Sequence, residues 1–130
     1  MRVARVEDFD RAFSELADQK ADVLIVPQQA LTTSQHAPLI ERALKARLPL
    51  VSGQIFIAEK GGLLSYGARI EENYERAAVI VDKILRGANP AEIPVEQPQR
   101  FELVVNRRTA QAIGVTLSPV TMLRADRIIE

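Results

Sequence analysis

The chain has 130 residues, the size of one domain, with 47% apolar and 26% charged residues, a balance that excludes a disordered or low-complexity chain. Lys+Arg and Asp+Glu each number 17, so no basic excess exists to neutralise nucleic-acid phosphates or hold an anionic membrane, and no nucleic-acid partner is expected. With no Cys and a single histidine, His36, the sequence excludes disulfides, thiolate zinc sites, cysteine nucleophiles and a site built from several histidines.

The longest apolar stretches, such as Val23 to Pro27, fall far short of the roughly 20 residues needed to cross a bilayer. The start, Met1-Arg2-Val3-Ala4-Arg5, lacks the apolar core of a signal peptide, so this stretch reads as neither inserted nor exported.

Arg2 to Val6 alternates weakly and predicts a strand, after which Glu7 and Asp8 open a helix over about residues 7 to 18 carrying Phe9, Ala12, Phe13 and Leu16 on one face. Ala21 to Pro27 is a short β-branched run closed by proline, as in a strand buried on both faces of a parallel sheet. Thr33 or Ser34 can cap a second helix with an apolar stripe of Ala37, Ile40, Ala43, Leu44 and Leu48, and Pro38 is tolerable near its first turn. Leu50-Val51-Ser52-Gly53 and, after Gly61-Gly62, Leu63 to Gly67 repeat the brief apolar run, and strands alternating with helices predict a largely parallel sheet.

The clearest helix runs over about residues 71 to 86, with Tyr74, Ala77, Ala78, Val81, Ile84 and Leu85 at three- and four-residue steps and Gly87 at its end. Three prolines between Ala88 and Pro98 predict an extended connection across the surface. Phe101 to Asn106 reads as a strand, Asn106 caps a short helix closed by Gly114, and Ser118-Pro119 opens a terminal helix carrying Val120, Leu123 and Ile128.

No nucleophile stands beside a base, no carboxylate pair shares a face, and Gly61-Gly62 lacks the spacing of a phosphate-binding fingerprint, so neither catalysis nor a cofactor is expected. His36 reads as an ordinary surface or helix-start residue. Open α/β sheets bind ligands beyond the carboxyl ends of their strands, which directs attention to Pro27-Gln28-Gln29, Ser52-Gly53-Gln54 and Ser65-Tyr66-Gly67. Their amides, hydroxyls and phenol suit hydrogen bonding and stacking on a small polar molecule; the same residue types are also common turn formers. Tyr66 either stacks on a ligand or fills the sheet edge, and Tyr74 reads as core or interface. Glu59 and Lys60 flank the Gly-Gly turn as solvated surface.

The segment Gly61 to Gly67, with Ala77-Ala78, Val81 to Ala88, Pro94 to Pro98, Phe101 to Asn106 and Leu123 to Asp126, resembles the substrate-binding proteins of ABC transporters of the tryptophan/tyrosine-type group over nearly the whole chain. The resemblance implies a type I periplasmic-binding fold, two Rossmann-like lobes closing over a small ligand and presenting it to ABC permease subunits. Residues 1–130 then form a single α/β domain, the C-terminal lobe, with about 68–98 crossing toward or docking on a first lobe outside this chain. The longer parent would be periplasmic or otherwise extracytoplasmic.

On this reading Gln28, Gln29, Ser52, Gln54 and Tyr66 contact the ligand, and Ser65 and Gly67 belong to the hinge. Many members place Asp or Asn after the strand matching Val23–Val26; here Gln28-Gln29 leaves out an acid that would hold a ligand ammonium. The apolar stripe of the helix near 71–86, without its intended partner, implies a homo-oligomer or swapped dimer. The alternative is a ligand-sensing domain of a transcription regulator sharing the two-lobe fold. A signal or lipoprotein segment before Met1 would favour transport, and a helix-turn-helix there regulation. An α/β enzyme with its catalytic residues outside these 130 is a third reading, disfavoured by the few acid–base groups near the strand ends.

Overall fold

The computed structural model describes residues 3–130. Five strands, β1 (Leu24–Val26), β2 (Leu50–Ser52), β3 (Leu64–Ala68), β4 (Phe101–Asn106) and β5 (Arg127–Ile129), form one sheet in sequence order. β1, β2 and β3 run parallel, β4 returns antiparallel to β3, and β5 runs parallel to β4. Seven α-helices are present among the described residues: α1 (Phe9–Asp18), α2 (Ala30–Ser34), α3 (His36–Lys45), α4 (Ile55–Glu59), α5 (Ile70–Leu85), α6 (Arg107–Ile113) and α7 (Pro119–Arg124). This is the largely parallel, helix-flanked α/β sheet that the alternating apolar runs predict.

The stripes do the packing. Phe9 of α1 and Leu39, Ile40 and Ala43 of α3 meet Val26, Leu50 and Ile57 in the main core. Each fully buried aliphatic or aromatic side chain contributes about 1.5–3 kcal/mol. A second cluster joins Leu63 to Ala110 and Ile113 of α6. Buried polar groups tie the layers: Asn106 Nδ2 donates to the Ala58 carbonyl at 2.8 Å, while its Oδ1 accepts the Thr109 N–H at 2.9 Å, capping α6 as the sequence predicts.

α5 stands apart, with none of its residues buried. Gly87, at φ +100°, follows its last turn as expected. The proline-rich stretch runs back along the helix, extended but for a short turn at Pro90–Glu92, with an Arg76–Glu96 ion pair of 2.5 Å between them. Val81 and Leu85 face outward, as does Tyr74, which is 71% exposed.

Several expected elements differ. The strand expected over Arg2–Val6 is not formed by its described part; Arg2 lies outside the described residues. The Ala4 and Arg5 N–H groups, at 3.0 and 3.2 Å, are taken by the Asp8 carboxylate, which turns the chain into a 3-10 turn at Val6–Asp8 instead of a ladder. The helix expected to be capped by Thr33 or Ser34 starts instead at His36 with Gln35 in the cap position, and a further short helix, α2, precedes it. Thr33 Oγ1 is committed to Gln54 and Ser34 Oγ to the Leu31 carbonyl, so neither caps α3. α4 was not foreseen; at five residues it is too short to show a stripe.

The terminal helix stops at Arg124, and Ile128 lies in β5. Asp126 sets this boundary: its carboxylate accepts the Leu103 N–H at 2.7 Å and its own N–H donates to the Leu103 carbonyl at 2.9 Å, clamping the segment beside β4.

A polar hollow at the carboxyl ends of the strands

β1, β2 and the longer β3 end on one edge of the sheet, and antiparallel β4 begins there, with Phe101 opposite Ala68. Beyond this edge lies a hollow of about 510 Å³ whose walls include Gln28, Thr33, Gln54, Phe56, Arg69 and Arg127.

Backbone contact brings these residues together. Ser52 Oγ, buried, donates to the Val26 carbonyl at 3.0 Å and accepts the Gln54 N–H at 3.1 Å, so one hydroxyl joins the end of β1 to the loop after β2. Gly67 passes close against the Gly53 backbone, leaving no room for a side chain on Gly67. Gln54 and Arg69 therefore leave the sheet from neighbouring points.

Gln54 is 6% exposed. Its Oε1 accepts from Thr33 Oγ1 at 2.8 Å, while its Nε2 is buried with no hydrogen-bond partner among the described residues. A buried amide donor without an acceptor costs about 1–3 kcal/mol relative to a satisfied one.

The ionic groups are unevenly committed. Arg127 bonds to Glu59 at 2.6 Å and to Glu102 at 3.0 Å, and hydrogen bonding to these carboxylates, Glu59 first, holds its pKa above the ordinary guanidinium value. Arg69, half-exposed, reaches Glu102 only at 3.7 Å.

Of the residues singled out in the sequence, Gln28 and Gln54 line this hollow. Gln29 lies against a different, apolar depression of about 640 Å³ beside β1, with Phe9, Phe13, Ile25 and Leu39. Ser52 is buried beneath the hollow. Tyr66 is exposed on β3 and stacks on Phe101, ring centres 5.7 Å apart. Ser65 is fully buried, accepting the Ala58 N–H at 3.1 Å, and Ser65 and Gly67 sit in the ladder opposite Val104 and Glu102. His36, at the start of α3, bonds to the Thr33 carbonyl at 2.9 Å and meets Phe56 edge-on.

Sequence reasoning missed Thr33, Glu59, Arg69, Glu102 and Arg127. Glu59, read as solvated surface, is the partner of Arg127 across 68 positions of sequence, a pairing with no local signature. Arg69 lies two residues past the predicted strand end at Gly67, so extending that loop by two residues would have included it. Among the described residues no group of His, Asp or Glu side chains could hold a metal ion.

A mostly parallel sheet with a polar hollow past its strand ends is the plan of an α/β binding lobe, not of a site built around an acid–base pair. Residues 1–129 match the family described as ABC transporter substrate binding protein, and the chain belongs to that family. A tyrosine-binding protein of Clostridioides difficile is 24% identical over 113 residues, covering 87% of this chain and 32% of that protein.

Among solved structures, a conserved domain protein from Vibrio cholerae superposes with a TM-score of 0.88 at 24% identity, over 97% of this chain and 42% of that one. An ABC domain from Streptococcus pneumoniae, solved in complex with L-Trp, gives 0.85 at 21% identity, over 98% of this chain and 44% of its own. At these identities the superpositions establish the fold. The chain spans about a third of the curated relative and less than half of each solved structure.

Proposed function

We propose that the chain is the C-terminal lobe of a solute-binding component of an ABC importer, holding a small polar molecule in a cleft between itself and a second lobe and delivering it to a permease. The observation that carries this reading is the polar hollow at the strand ends, with a buried amide donor left for a partner. Half a cleft would leave most of a small ligand in water, so closure by the second lobe supplies the remaining contacts and gives the permease a shape to recognise.

In this reading Gln28, Gln54 and Tyr66 touch the ligand, Gln29 approaches from the neighbouring loop, and Ser52 acts by fixing the Gln54 backbone. Residues 68–98 dock on the second lobe through the outward face of α5, and Ser65 and Gly67 belong to the hinge-bearing strand. The work is extracytoplasmic, in keeping with the family. No helix among the described residues is long and apolar enough to cross a membrane. Relatives described as binding tyrosine and L-Trp put amino acids first among ligands to try.

The test is a thermal-shift screen of amino acids and other small metabolites against this chain and against a two-lobe form extended upstream. Ligand at a hundred times its dissociation constant adds about 2.7 kcal/mol. A shift confined to the two-lobe form supports cleft binding. No shift for either form across the panel counts against it.

A further inference from the structure

We propose that this lobe holds its ligand by a carboxylate, gripped between the Gln54 side-chain amide and the Arg69 guanidinium. The proposal rests on the solute-binding reading above and adds the chemical class of the group bound.

Gln54 supplies the first argument. With Oε1 occupied by Thr33, the carboxamide is turned so that its two N–H donors are the unused end, and they are buried beside the hollow. What is missing there is an acceptor. An ammonium offers donors only and a hydroxyl only a neutral acceptor, whereas a carboxylate is acceptor-only and carries the charge that makes such bonds strong.

Arg69 supplies the second. Of the two guanidinium groups on the hollow, Arg127 is shared between Glu59 and Glu102, and both carboxylates lie closer to it than Glu102 lies to Arg69. Arg69 therefore retains N–H donors for a planar anion, and an arginine fork matches a carboxylate with two parallel bonds. Glu71, also on the wall, makes no ion pair among the described residues. It disfavours a second carboxylate and accommodates an ammonium on the same ligand.

The third is proximity. The close passage of Gly53 against Gly67 fixes the backbones one residue before Gln54 and two before Arg69, so their side chains enter the same hollow from adjoining loops.

The experiment is ¹⁵N NMR on the chain with four forms of two skeletons, at millimolar concentration: L-tryptophan, L-tryptophanamide, tryptamine and indole-3-propionate, and alanine, alaninamide, ethylamine and propionate. The acids and propionates are expected to move the Gln54 Nε2 and Arg69 Nε signals and to bind at least about tenfold more tightly than the amide and amine of the same skeleton. Arg69→Gln, at a half-exposed position that the core does not need, is expected to remove that preference with the spectrum otherwise unchanged. Amides or amines that bind as tightly as the acids overturn the carboxylate assignment and spare the solute-binding reading. If no signal from the hollow moves with any of the eight probes, the carboxylate assignment falls, whereas the solute-binding reading falls only when the two-lobe form shows no thermal shift across its panel.

Discussion

A Cβ on Gly67 would stand 1.9 Å from the carbonyl oxygen of Gly53, nearer than two such atoms can approach. The obstacle is backbone on a paired strand end and cannot swing aside as a side chain would. Gly67→Ala is therefore expected to cost about 3 kcal/mol or more in urea denaturation. A Cβ on Gly53 meets only the Tyr66 carbonyl oxygen at 3.8 Å, an ordinary contact, so Gly53→Ala is expected to cost less than about 1 kcal/mol. Equal effects would show that the two strand ends are not held this close.

Asn106 joins three elements, since its amide bonds to the Ala58 carbonyl in α4 and its oxygen caps α6. Asn106→Ala loses both bonds and leaves buried groups unpaired, with an expected cost of about 2–4 kcal/mol. Asn106→Asp keeps the cap but sets a buried carboxylate oxygen against the Ala58 carbonyl, and at neutral pH it should cost at least as much as alanine in the same denaturation series.

Acid should loosen the N-terminal helix first. The Asp8 carboxyl is held below its ordinary value of 3.8, chiefly by the Ala4 N–H, and Asp10 is held below 3.8 chiefly by its hydrogen bond from Arg42. Because the folded values lie below the unfolded ones, their contribution is fully present above the ordinary value and is lost as pH falls through the folded values. Thermal midpoints measured downward from pH 5 should fall, and Asp10→Asn should make the descent shallower. An unchanged slope would remove this pair from the acid response.

The outward face of α5 predicts association of the isolated chain. Ile70, Tyr74, Val81 and Leu85 are all exposed, at helical steps that align them along one side. Sedimentation at about tens of micromolar is expected to show dimers or larger species, and Val81→Glu with Leu85→Glu to give monomers. A monomeric wild-type chain at that concentration would oppose the expectation.

The apolar periodicities made most of this architecture legible. Val23–Val26, Leu50–Ser52 and Phe101–Asn106 read as strands because their runs are short, β-branched and bounded. The helix from Ile70 read clearly because sixteen residues repeat its stripe. β5 is masked in the sequence because Ile128 continues the stripe of the preceding helix, and α4, at five residues, carries no period; both are held by distant partners. Asp126 on the Leu103 backbone and Ser65 under the Ala58 N–H are such partners.

The same division runs through the candidate site. Gln28 and Gln54 followed from the rule that ligands gather at strand ends. Thr33, Glu59 and Arg127 reach the hollow through folding alone, and Ser52 and Ser65, which looked available as loop hydroxyls, are committed inside the sheet.

The pairing of Ala68 with Phe101 makes residues 69–100 an excursion that leaves and re-enters the sheet at one point. Such a pair of antiparallel ends is what a two-residue hairpin turn closes, so an Asn-Gly graft in place of the excursion would leave every rung of the ladder intact. The product would be a smaller, stand-alone module lacking both the sticky helix and Arg69. It would separate, in one piece of protein engineering, the part of the chain that keeps the fold from the part that reaches outward.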